Sequence, residues 1–396
     1  MRSQENRNPP CTCAIYWGRM AFSDSGGEPL NERIRVNWVG PQFAGHSIAV
    51  VNRNLCRELE RDHRLFLRMG VPQDELTLVP SSRAASFAPF SEADAAVVHE
   101  WTPGWGKPAG KRRICMQAWE YGAIPREWFI PMTKDVDEIW VYSSYNKECY
   151  VRCGIPAEKV QVIPLGVDES VFRPEAAPMR VGTAGFRFLF VGGTIVRKGI
   201  DLLLQAYVDE FTADDDVCLV IKDNGAGSFY KGKTFQTAIR KAASRPRSPR
   251  IVYLDRYLSE TEMAGLYAGC DCLVHPYRGE GFGLPIAEAM ACGLPVIVPD
   301  KGPSRDLCDG RTAFLLPAEV VGLPEQGTGL PETVGPPWWL SVDKHDLQKT
   351  MRVASENRAL VQAMGRAASE RMRSAFTWKH SAEAVLRRLQ SLAEKE

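Results

Sequence analysis

Short apolar runs alternate with helix-like segments along two stretches of this 396-residue chain, and this alternation restricts the possible folds most strongly. The second stretch begins at Phe186. Its apolar runs are FRFLFVGG, VCLVIKD, RIVYLD, DCLVHP and PVIV, and segments with helical spacing lie among them. Alternating strands and helices are typical of a parallel sheet with helices on both faces. We therefore expect an α/β fold with a doubly wound sheet in this part of the chain.

A looser alternation of the same kind precedes it. Residues 34–40 (IRVNWVG) are a predicted strand, and the next segment has apolar residues at helical spacing after Ser47, the expected N-cap. Further β-rich runs occupy residues 95–99, 113–119, 138–142 and 160–167. The chain exceeds the length at which one hydrophobic core stops growing. The sequence therefore predicts two α/β domains.

The domain boundaries follow from composition. Residues 166–185 are rich in proline, glycine and alanine, which is typical of a linker between domains. We expect a lead segment at 1–30, a first domain at 31–172 and a second domain at 173–377. Residues 317–341 carry many prolines and glycines and are predicted to form a long ordered loop or insertion. The last segment, 378–396, has an amphipathic stripe and must pack on another part of the protein.

Composition argues against several classes of function. The net charge is +1, which does not favour a nucleic acid or an anionic membrane as partner. The first thirty residues lack the apolar core of a signal peptide, and no apolar run reaches the ~18 residues of a membrane span. Eleven cysteines, an odd number, indicate reduced thiols, and we expect a cytoplasmic protein. The close cysteine pairs lack the paired C-x-x-C spacing of a zinc site, so no metal is expected at Cys11/Cys13, Cys149/Cys153 or Cys270/Cys272.

Residues 275–298, HPYRGEGFGLPIAEAMACGLPVIV, carry the clearest chemical signal. Pro285 and Gly293 mark the start and end of a helix, and the glycine-rich loop before it can present backbone N–H groups to a phosphate. Glu288 lies one turn into that helix, where a carboxylate suits ribose hydroxyls. Two carboxylates, Glu280 and Glu288, would also fit a glycosidase, but Glu288 is expected in the nucleotide crevice, away from a glycosidic oxygen. The pattern favours a nucleotide-like ligand at the carboxyl ends of the second sheet.

This stretch, with Glu280 and Glu288 at an E-x7-E spacing, resembles the family 4 glycosyltransferases of the GT-B fold. The resemblance includes FLFVGGTIVRKGIDLLLQAY and VQVIPLGVDESVFRP, and covers about residues 34 to 390. It implies two doubly wound Rossmann-like domains facing a cleft, with the C-terminal helix crossing back to the first domain. It also implies transfer of a sugar from a UDP- or GDP-type nucleotide sugar to an unidentified acceptor, with retention of configuration and without a metal or other cofactor.

The resemblance assigns donor-side roles. Lys198 would contact the diphosphate, with Arg197 as a helper, and Glu288 would hold the ribose. Glu280 would either contact hydroxyls of the transferred sugar or help to stabilise charge at the reacting centre, so that Glu280 and Lys198 would be catalytic. Gly193 stands where the family usually has an arginine, so neutralisation of the diphosphate would rest more on Lys198 and Arg197. Backbone amides near the sugar and phosphate would come from Gly281, Phe282 and Gly283, and from Gly45 in the N-terminal glycine loop.

Acceptor-side assignments leave alternatives open. His99, in VVHEWTP, matches the family's histidine near the reacting sugar and would also be catalytic, although a lone histidine is usually a satisfied structural residue. Glu120, in QAWEYG, is either an acceptor ligand or base, or a carboxylate that caps a loop. Trp101 and Trp119 are candidates for stacking on the acceptor, but burial in a core is commoner for tryptophan.

Two rival functions remain at this stage. One is another GT-B chemistry, a nucleotide-sugar epimerase or a phosphorylase, which product analysis with donor alone or a requirement for phosphate would identify. The other is a degenerate carbohydrate-binding protein, which would bind donor without releasing product. The sequence leaves the donor base, the sugar, the acceptor and the oligomeric state undetermined.

Overall fold

A computed structural model describes residues 33–182, 185–225, 232–323 and 330–394. The lead segment at 1–30, with Cys11 and Cys13, lies outside the described residues.

The first stretch of alternation forms a six-stranded sheet in the order β2-β1-β3-β4-β5-β6. The pairings of β1 with β2 and β3, of β3 with β4 and of β4 with β5 are parallel. Its strands are β1 (Ile34–Val39), β2 (Leu65–Gly70), β3 (Ala95–Val98), β4 (Arg112–Met116), β5 (Glu138–Val141) and β6 (Val160–Val162). The helices in this part of the chain are α1 (Ser47–Leu59), α2 (Arg126–Lys134) and α3 (Ser144–Arg152).

The second stretch forms another six-stranded sheet, in the order β12-β11-β10-β7-β8-β9, with every neighbouring pair parallel. Its strands are β7 (Phe186–Gly192), β8 (Val217–Asp223), β9 (Arg250–Leu254), β10 (Cys272–Val274), β11 (Val296–Pro299) and β12 (Ala313–Leu316). The helices between them are α4 (Ile200–Glu210), α5 (Gln236–Ala243), α6 (Glu260–Ala268), α7 (Leu284–Ala291) and α8 (Ser304–Leu307). The predicted α/β fold with two doubly wound sheets is confirmed.

The proline- and glycine-rich segment 317–341 is more regular than the loop that its composition predicts. It carries an antiparallel pair of strands, β13 (Ala318–Gly322) and β14 (Trp338–Val342). Most of its prolines and glycines lie between the two strands in the sequence, which explains why composition alone hides the hairpin. The chain then continues through α9 (Lys344–Glu356), α10 (Arg358–Ala375) and α11 (Trp378–Ala393).

The described chain divides into two compact units that do not follow one another simply along the sequence. The first holds the described residues up to Gln117, then Ile130–Trp140 and the chain from Ala382 onward. The second holds Ala118–Phe129 and Val141–Ser381. The end of α11 therefore counts with the first unit, where Arg388 forms an ion pair with the buried Glu138 of β5.

The N-terminal caps of helices α1 and α6 differ. Helix α1 begins at Ser47, but its cap is His46, whose Nδ1 accepts from the backbone N–H of Ala49, so Ser47 is not the N-cap. A histidine can replace the usual serine or aspartate because its ring nitrogen reaches the same amide. Helix α6 begins with a capping box of Ser259 and Glu262, in which each side chain accepts from the backbone N–H of the other residue.

Candidate active site

The site in the second unit begins where β7 and β10 end, because these strands are neighbours in the sheet. A tight turn, Val196–Lys198, follows β7 and ends at Gly199, whose φ is 74°. A Cβ at Gly199 would lie 2.0 Å from the carbonyl oxygen of Pro276, just after β10. Only glycine allows this backbone conformation and this approach without strain. The turn therefore places Lys198 beside the residues that follow β10.

Lys198 and Glu280 form a close ion pair that is mostly shielded from solvent. Nζ of Lys198 lies 2.8 Å from Oε2 of Glu280, and the two side chains are only 13% and 11% exposed. Two further groups face the same oxygen: Nη1 of Arg197 at 3.8 Å and Nε2 of His275 at 3.6 Å. The structure thus brings together three of the residues that the sequence assigned to the donor.

Arg197 joins this pair to a second carboxylate. Its Nη1 donates to the carbonyl oxygen of Gly279 at 2.7 Å, and its Nη2 lies 3.3 Å from Oε1 of Glu120. Glu120, which the sequence placed on the acceptor side, therefore contacts a donor-side arginine, and residues 118–129 belong to the second unit. We call Glu120, Arg197, Lys198, His275 and Glu280 the charge cluster.

The ionisation of the charge cluster follows from its contacts. Burial alone would raise the pKa of Glu280, but Lys198, His275 and Arg197 together hold it well below its usual range. Burial lowers the pKa of His275, whose ring stacks on Phe190 at 5.4 Å. At neutral pH the cluster therefore holds an ionised Glu280 beside a neutral imidazole.

The glycine-rich loop leads from Glu280 into α7. The Ser143 hydroxyl donates to the carbonyl oxygen of Gly281 at 2.9 Å, and the Phe282 side chain is buried, so only its backbone can face a ligand. Gly283 is the N-cap residue and provides no side-chain cap. Pro285 has no N–H group, and that of Ile286 donates to the carbonyl oxygen of Gly283, so the amide of Leu284 is the one in this turn that is suited to an anion.

Glu288 lies on α7 and contacts a tyrosine of the neighbouring helix. The Tyr267 hydroxyl, from α6, donates to Oε2 of Glu288 at 2.8 Å. Burial raises the pKa of Glu288 to about 7, and the nearby Glu260 acts in the same direction, while the Tyr267 hydrogen bond opposes the rise. The two glutamates of the E-x7-E pattern therefore have different environments, because Glu280 contacts cations, whereas Glu288 has no cationic partner in the part of the chain that the structure describes.

Strand β14 and the residues before it hold the segment that carries Glu120. The backbone N–H of Gly122 donates to the carbonyl oxygen of Trp338, that of Arg126 donates to Glu332, and that of Val334 donates to Ile124. A Cβ at Gly122 would lie 1.7 Å from the Trp338 ring. The 317–341 segment therefore anchors residues 122–126, close in sequence to the charge cluster.

In the first unit, His99 lies in a buried polar network. Its Nδ1 is 2.6 Å from Oδ1 of Asn52, which also accepts from Nε1 of Trp38 at 2.8 Å. Nδ2 of Asn52 donates to the carbonyl oxygens of Pro41 and His99, so the orientation of the amide is fixed and Nδ1 of His99 must be the donor. Burial lowers the pKa of His99 to about 3, so the ring is neutral at physiological pH.

The N-terminal glycine loop has an internal carboxylate partner. Three consecutive backbone N–H groups, of Gln42, Phe43 and Ala44, donate to the buried Glu75 at 2.6 to 3.0 Å. Gly45 follows them, and a Cβ there would meet no atom within 4 Å. The amides of residues 42–44 are thus already paired, while the backbone around Gly45 has open space.

The two tryptophan candidates differ in exposure. Trp101 is 50% exposed and can offer a ring face to a ligand. Trp119 is buried, donates through Nε1 to the carbonyl oxygen of Ala123 and packs edge-on against Trp128 at 5.2 Å. The contacts of Trp119 are those of a packed core residue.

The described ranges contain no group of three or more histidine, cysteine or acidic side chains that could hold a metal ion. Cys149, Cys153, Cys270 and Cys272 are free and buried. No helix in the described part of the chain is long and apolar enough to cross a bilayer.

Sequence reasoning missed several residues that the structure places beside the candidates. His275 directly follows β10, and a polar residue at the carboxyl end of a parallel strand is a usable signal. Tyr267, Asn52 and Glu75 gave no such signal, because a helical tyrosine, a helical asparagine and a glutamate in a short 3-10 helix ordinarily face solvent or core.

Comparison with known proteins identifies the second part of the chain. Residues 185–325 match the family model described as "Glycosyl transferases group 1". A D-inositol 3-phosphate glycosyltransferase of Arthrobacter sp. (strain FB24) is 32% identical over 165 residues, which are 40% of this chain and 38% of that protein. A GDP-mannose-dependent alpha-mannosyltransferase of Mycobacterium tuberculosis (strain CDC 1551 / Oshkosh) is 30% identical over 226 residues, 56% of this chain and 53% of that protein. The chain thus matches about half or less of the length of these relatives.

Solved structures resemble a larger part of the chain. Sucrose-phosphate synthase from Thermosynechococcus elongatus has a TM-score of 0.63 at 17% identity, covering 92% of this chain and 100% of that one. Anabaena HepE, in complex with UDP-glucose, has a TM-score of 0.59 at 13% identity, covering 91% of this chain and 100% of that one. At these identities the likeness shows the fold, which is GT-B. Residues 185–325, which carry Lys198, Glu280 and Glu288, therefore match the group 1 glycosyl transferase model, and the chain has the GT-B fold.

Proposed function

We propose that this protein is a glycosyltransferase that moves a hexose from a nucleotide sugar to an acceptor, with retention of anomeric configuration. The observation that carries the proposal is the shielded Lys198–Glu280 pair, which lies at the carboxyl ends of β7 and β10 inside the group 1 domain. Ligands of open α/β sheets bind at this edge. The relatives named as mannosyl- and inositol phosphate glycosyltransferases, and the UDP-glucose complex of HepE, support a nucleotide sugar as donor.

The charge cluster would exchange partners when the donor enters. Lys198 would move its ammonium from Glu280 to an oxygen of the diphosphate, and Arg197, held on the carbonyl oxygen of Gly279, would add a second positive charge. This second charge would replace the family's usual arginine, which is Gly193 in this chain. As the bond to the sugar breaks, negative charge grows on the leaving diphosphate, and fixed positive groups stabilise it.

Glu280 would then bind the sugar. Its low pKa keeps it a carboxylate, which can accept hydrogen bonds from sugar hydroxyls once Lys198 turns to the phosphate. His275 supports this role because its buried ring makes no hydrogen bond of normal length among the described residues, and its Nε2 lies 3.6 Å from Oε2 of Glu280. A hydroxyl of the transferred sugar would give that ring a partner.

Further proposed roles belong to backbone amides and to residues of the first unit. The amide of Leu284 at the start of α7 and the backbone of Gly281 and Gly283 would face the phosphate, and the backbone of Gly45 in the N-terminal loop has the same proposed role. His99 would act near the reacting sugar as a neutral imidazole, since its pKa is about 3. Trp101 is the exposed aromatic candidate for acceptor contact. No divalent cation is required in this proposal, because Lys198, Arg197 and the helix amides carry its electrostatic work.

The test is release of nucleoside diphosphate from a panel of UDP-, GDP- and ADP-sugars, in the presence of sugar, polyol and sugar-phosphate acceptors. We expect one donor class to give product, with Glu280→Gln lowering turnover by about 10²-fold or more, the scale of a lost charge-stabilising group. Proton NMR of the product would report whether the configuration is retained. Absence of turnover with every donor, or product formation from donor alone, would contradict the proposal.

A further inference from the structure

Tyr267 contacts Glu288 without reaching solvent. It lies on α6, its side chain has no exposed surface, and its hydroxyl donates to Oε2 of Glu288 at 2.8 Å. The ring packs edge-on against Phe172 at 6.1 Å, and the capping box of Ser259 and Glu262 secures the start of the helix. The hydroxyl is therefore held at a fixed point beside the carboxylate.

We propose that Tyr267 is a positioning residue for nucleotide recognition, whose hydroxyl binds one oxygen of Glu288 and leaves the other to accept from the ribose hydroxyls. The inference rests on the proposed function, in which Glu288 holds the ribose of the donor. It adds the group that orients the carboxylate.

The hydrogen bond is effective because a free glutamate carboxylate is poorly oriented. The terminal torsion of glutamate is broad, so an unpartnered carboxylate samples many directions. An ionised carboxylate has about four acceptor sites on two oxygens, and one donor on Oε2 leaves Oε1 free to take two hydroxyls. A buried tyrosine loses little freedom when it makes this bond, since its ring is already packed.

The same bond favours the ionised form that ribose binding needs. Burial and Glu260 raise the pKa of Glu288, whereas the Tyr267 hydroxyl lowers it. Burial and Glu288 raise the pKa of Tyr267 well above its usual value, so the phenol stays protonated and can only donate here. Cys292, after the end of α7, is also buried, and its pKa is raised, so its thiol stays neutral. Loss of the hydroxyl therefore weakens ribose binding through orientation and through charge.

The experiment measures the Kd of UDP, GDP and ADP by calorimetry from about pH 6 to about pH 9. The variants are Tyr267→Phe, Glu288→Gln, their double variant and Tyr207→Phe. Tyr207 is the matched control, because it is a buried tyrosine of the same unit whose hydroxyl donates to the backbone carbonyl of Arg250. In Glu288→Gln the side chain does not ionise, so the change of Kd with pH that remains in this variant comes from titration of the nucleotide.

We expect wild-type affinity to rise as the pH passes about 7, where Glu288 ionises. Tyr267→Phe should move this midpoint up by about one pH unit, the effect of losing a hydrogen bond to a charged group. The Kd at pH 7 should then rise about fivefold, because the ionised fraction falls from about a half to about a tenth. Near pH 9, where Glu288 is ionised in both proteins, the part of the Kd difference that comes from charge should vanish, and the weaker binding that remains in Tyr267→Phe reports the lost orientation. Tyr207→Phe should match wild type.

Ribose contact is checked with 2′-deoxynucleoside diphosphates. Wild type should bind them more weakly than the ribonucleotides, Glu288→Gln should lose this discrimination, and Tyr267→Phe should reduce it. In the Glu288→Gln background, Tyr267→Phe should have no further effect, since coupled residues are not additive. A Tyr267→Phe protein with the wild-type Kd and pH midpoint overturns the inference but leaves the proposed function intact. A wild-type protein that binds no nucleoside diphosphate overturns the proposed function instead.

Discussion

Replacing Lys198 by methionine should separate the structural cost of the charge cluster from its function. The substitution keeps much of the side-chain length but removes the ammonium that lies 2.8 Å from Glu280. Because the Glu280 residue as a whole is only 9% exposed, its carboxylate would remain buried with more distant partners, Arg197 at 3.8 Å and His275 at 3.6 Å. Loss of one partner of a buried pair costs about 3–5 kcal/mol. Because Arg197 and His275 remain near Glu280, we expect Lys198→Met to lower the free energy of unfolding by about 3 kcal/mol, the low end of that range.

The assay is urea unfolding of wild type, Lys198→Met, Glu280→Gln and the double variant. Lys344→Met is the matched control, because Lys344 lies at the same 2.8 Å from Asp209 but both side chains are considerably exposed, 30% and 42%. An exposed pair is worth about 0–1 kcal/mol. In the double variant, most of the lost stability should return while donor turnover stays low, since no charge is left unpaired but the diphosphate contact is gone.

The pH dependence gives an independent check with a defined sign. The folded pKa of Glu280 lies below its unfolded value, so its stabilising contribution exists above the unfolded pKa and is lost as the pH falls. Without Lys198, burial should raise the folded pKa, so the cost of Lys198→Met should grow as pH rises through about 4.5 and shrink below it. A cost equal to that of Lys344→Met, independent of pH, would refute the reasoning from burial.

Three further outcomes follow from the structure. The pKa of Glu288 is about 7 in the folded protein against an ordinary value of 4.5, so the free energy of unfolding of the wild type should fall by about 2–3 kcal/mol between about pH 5 and pH 8. Urea unfolding of Glu288→Gln should lack this fall, and parallel pH curves for the two proteins would contradict it. Gly122→Ala should destabilise the protein by about 1–3 kcal/mol in the same assay, because its Cβ would overlap the Trp338 ring; an unchanged midpoint would argue against that packing. Donor turnover should survive exhaustive chelation, and complete loss restored by manganese or magnesium would show that a cation replaces the role given to Lys198.

The second sheet was readable from sequence because its strands and helices carry strong local signals. FRFLFVGG and DCLVHP each become a strand, β7 and β10, and these are neighbours in the sheet. Residues that follow neighbouring parallel strands meet at one edge, so the pairing of Lys198 with Glu280, 82 positions apart, is the type of contact that strand order can anticipate.

Other elements were missed for identifiable reasons. Strand β2, LFLRMG, contains an arginine and follows the charged RDHR, so it did not stand out from the preceding helix. The β13–β14 hairpin is hidden by the prolines and glycines between its strands. Neither the attachment of residues 118–129 to the second unit nor the contact of Glu120 with Arg197 is encoded locally, because both depend on β14 and on the turn after β7.

Side-chain partners were the least predictable part of the candidate site. The sequence suggests that Glu288 faces a ligand, but it cannot show that a tyrosine one helix away donates to the carboxylate. It likewise suggests His99 as a functional histidine without indicating that Asn52 fixes its tautomer. These contacts arise from packing between elements, and periodicity within one element carries no information about them.

The most direct test of the proposed donor site is a crystal structure of the protein with a bound nucleoside diphosphate. We expect the ribose hydroxyls within hydrogen-bonding distance of Glu288, the diphosphate against Lys198 and the start of α7, and the Lys198–Glu280 contact opened. A nucleotide bound elsewhere, or one bound with the Lys198–Glu280 pair closed and Glu288 without a ribose contact, would contradict the assignment of this site.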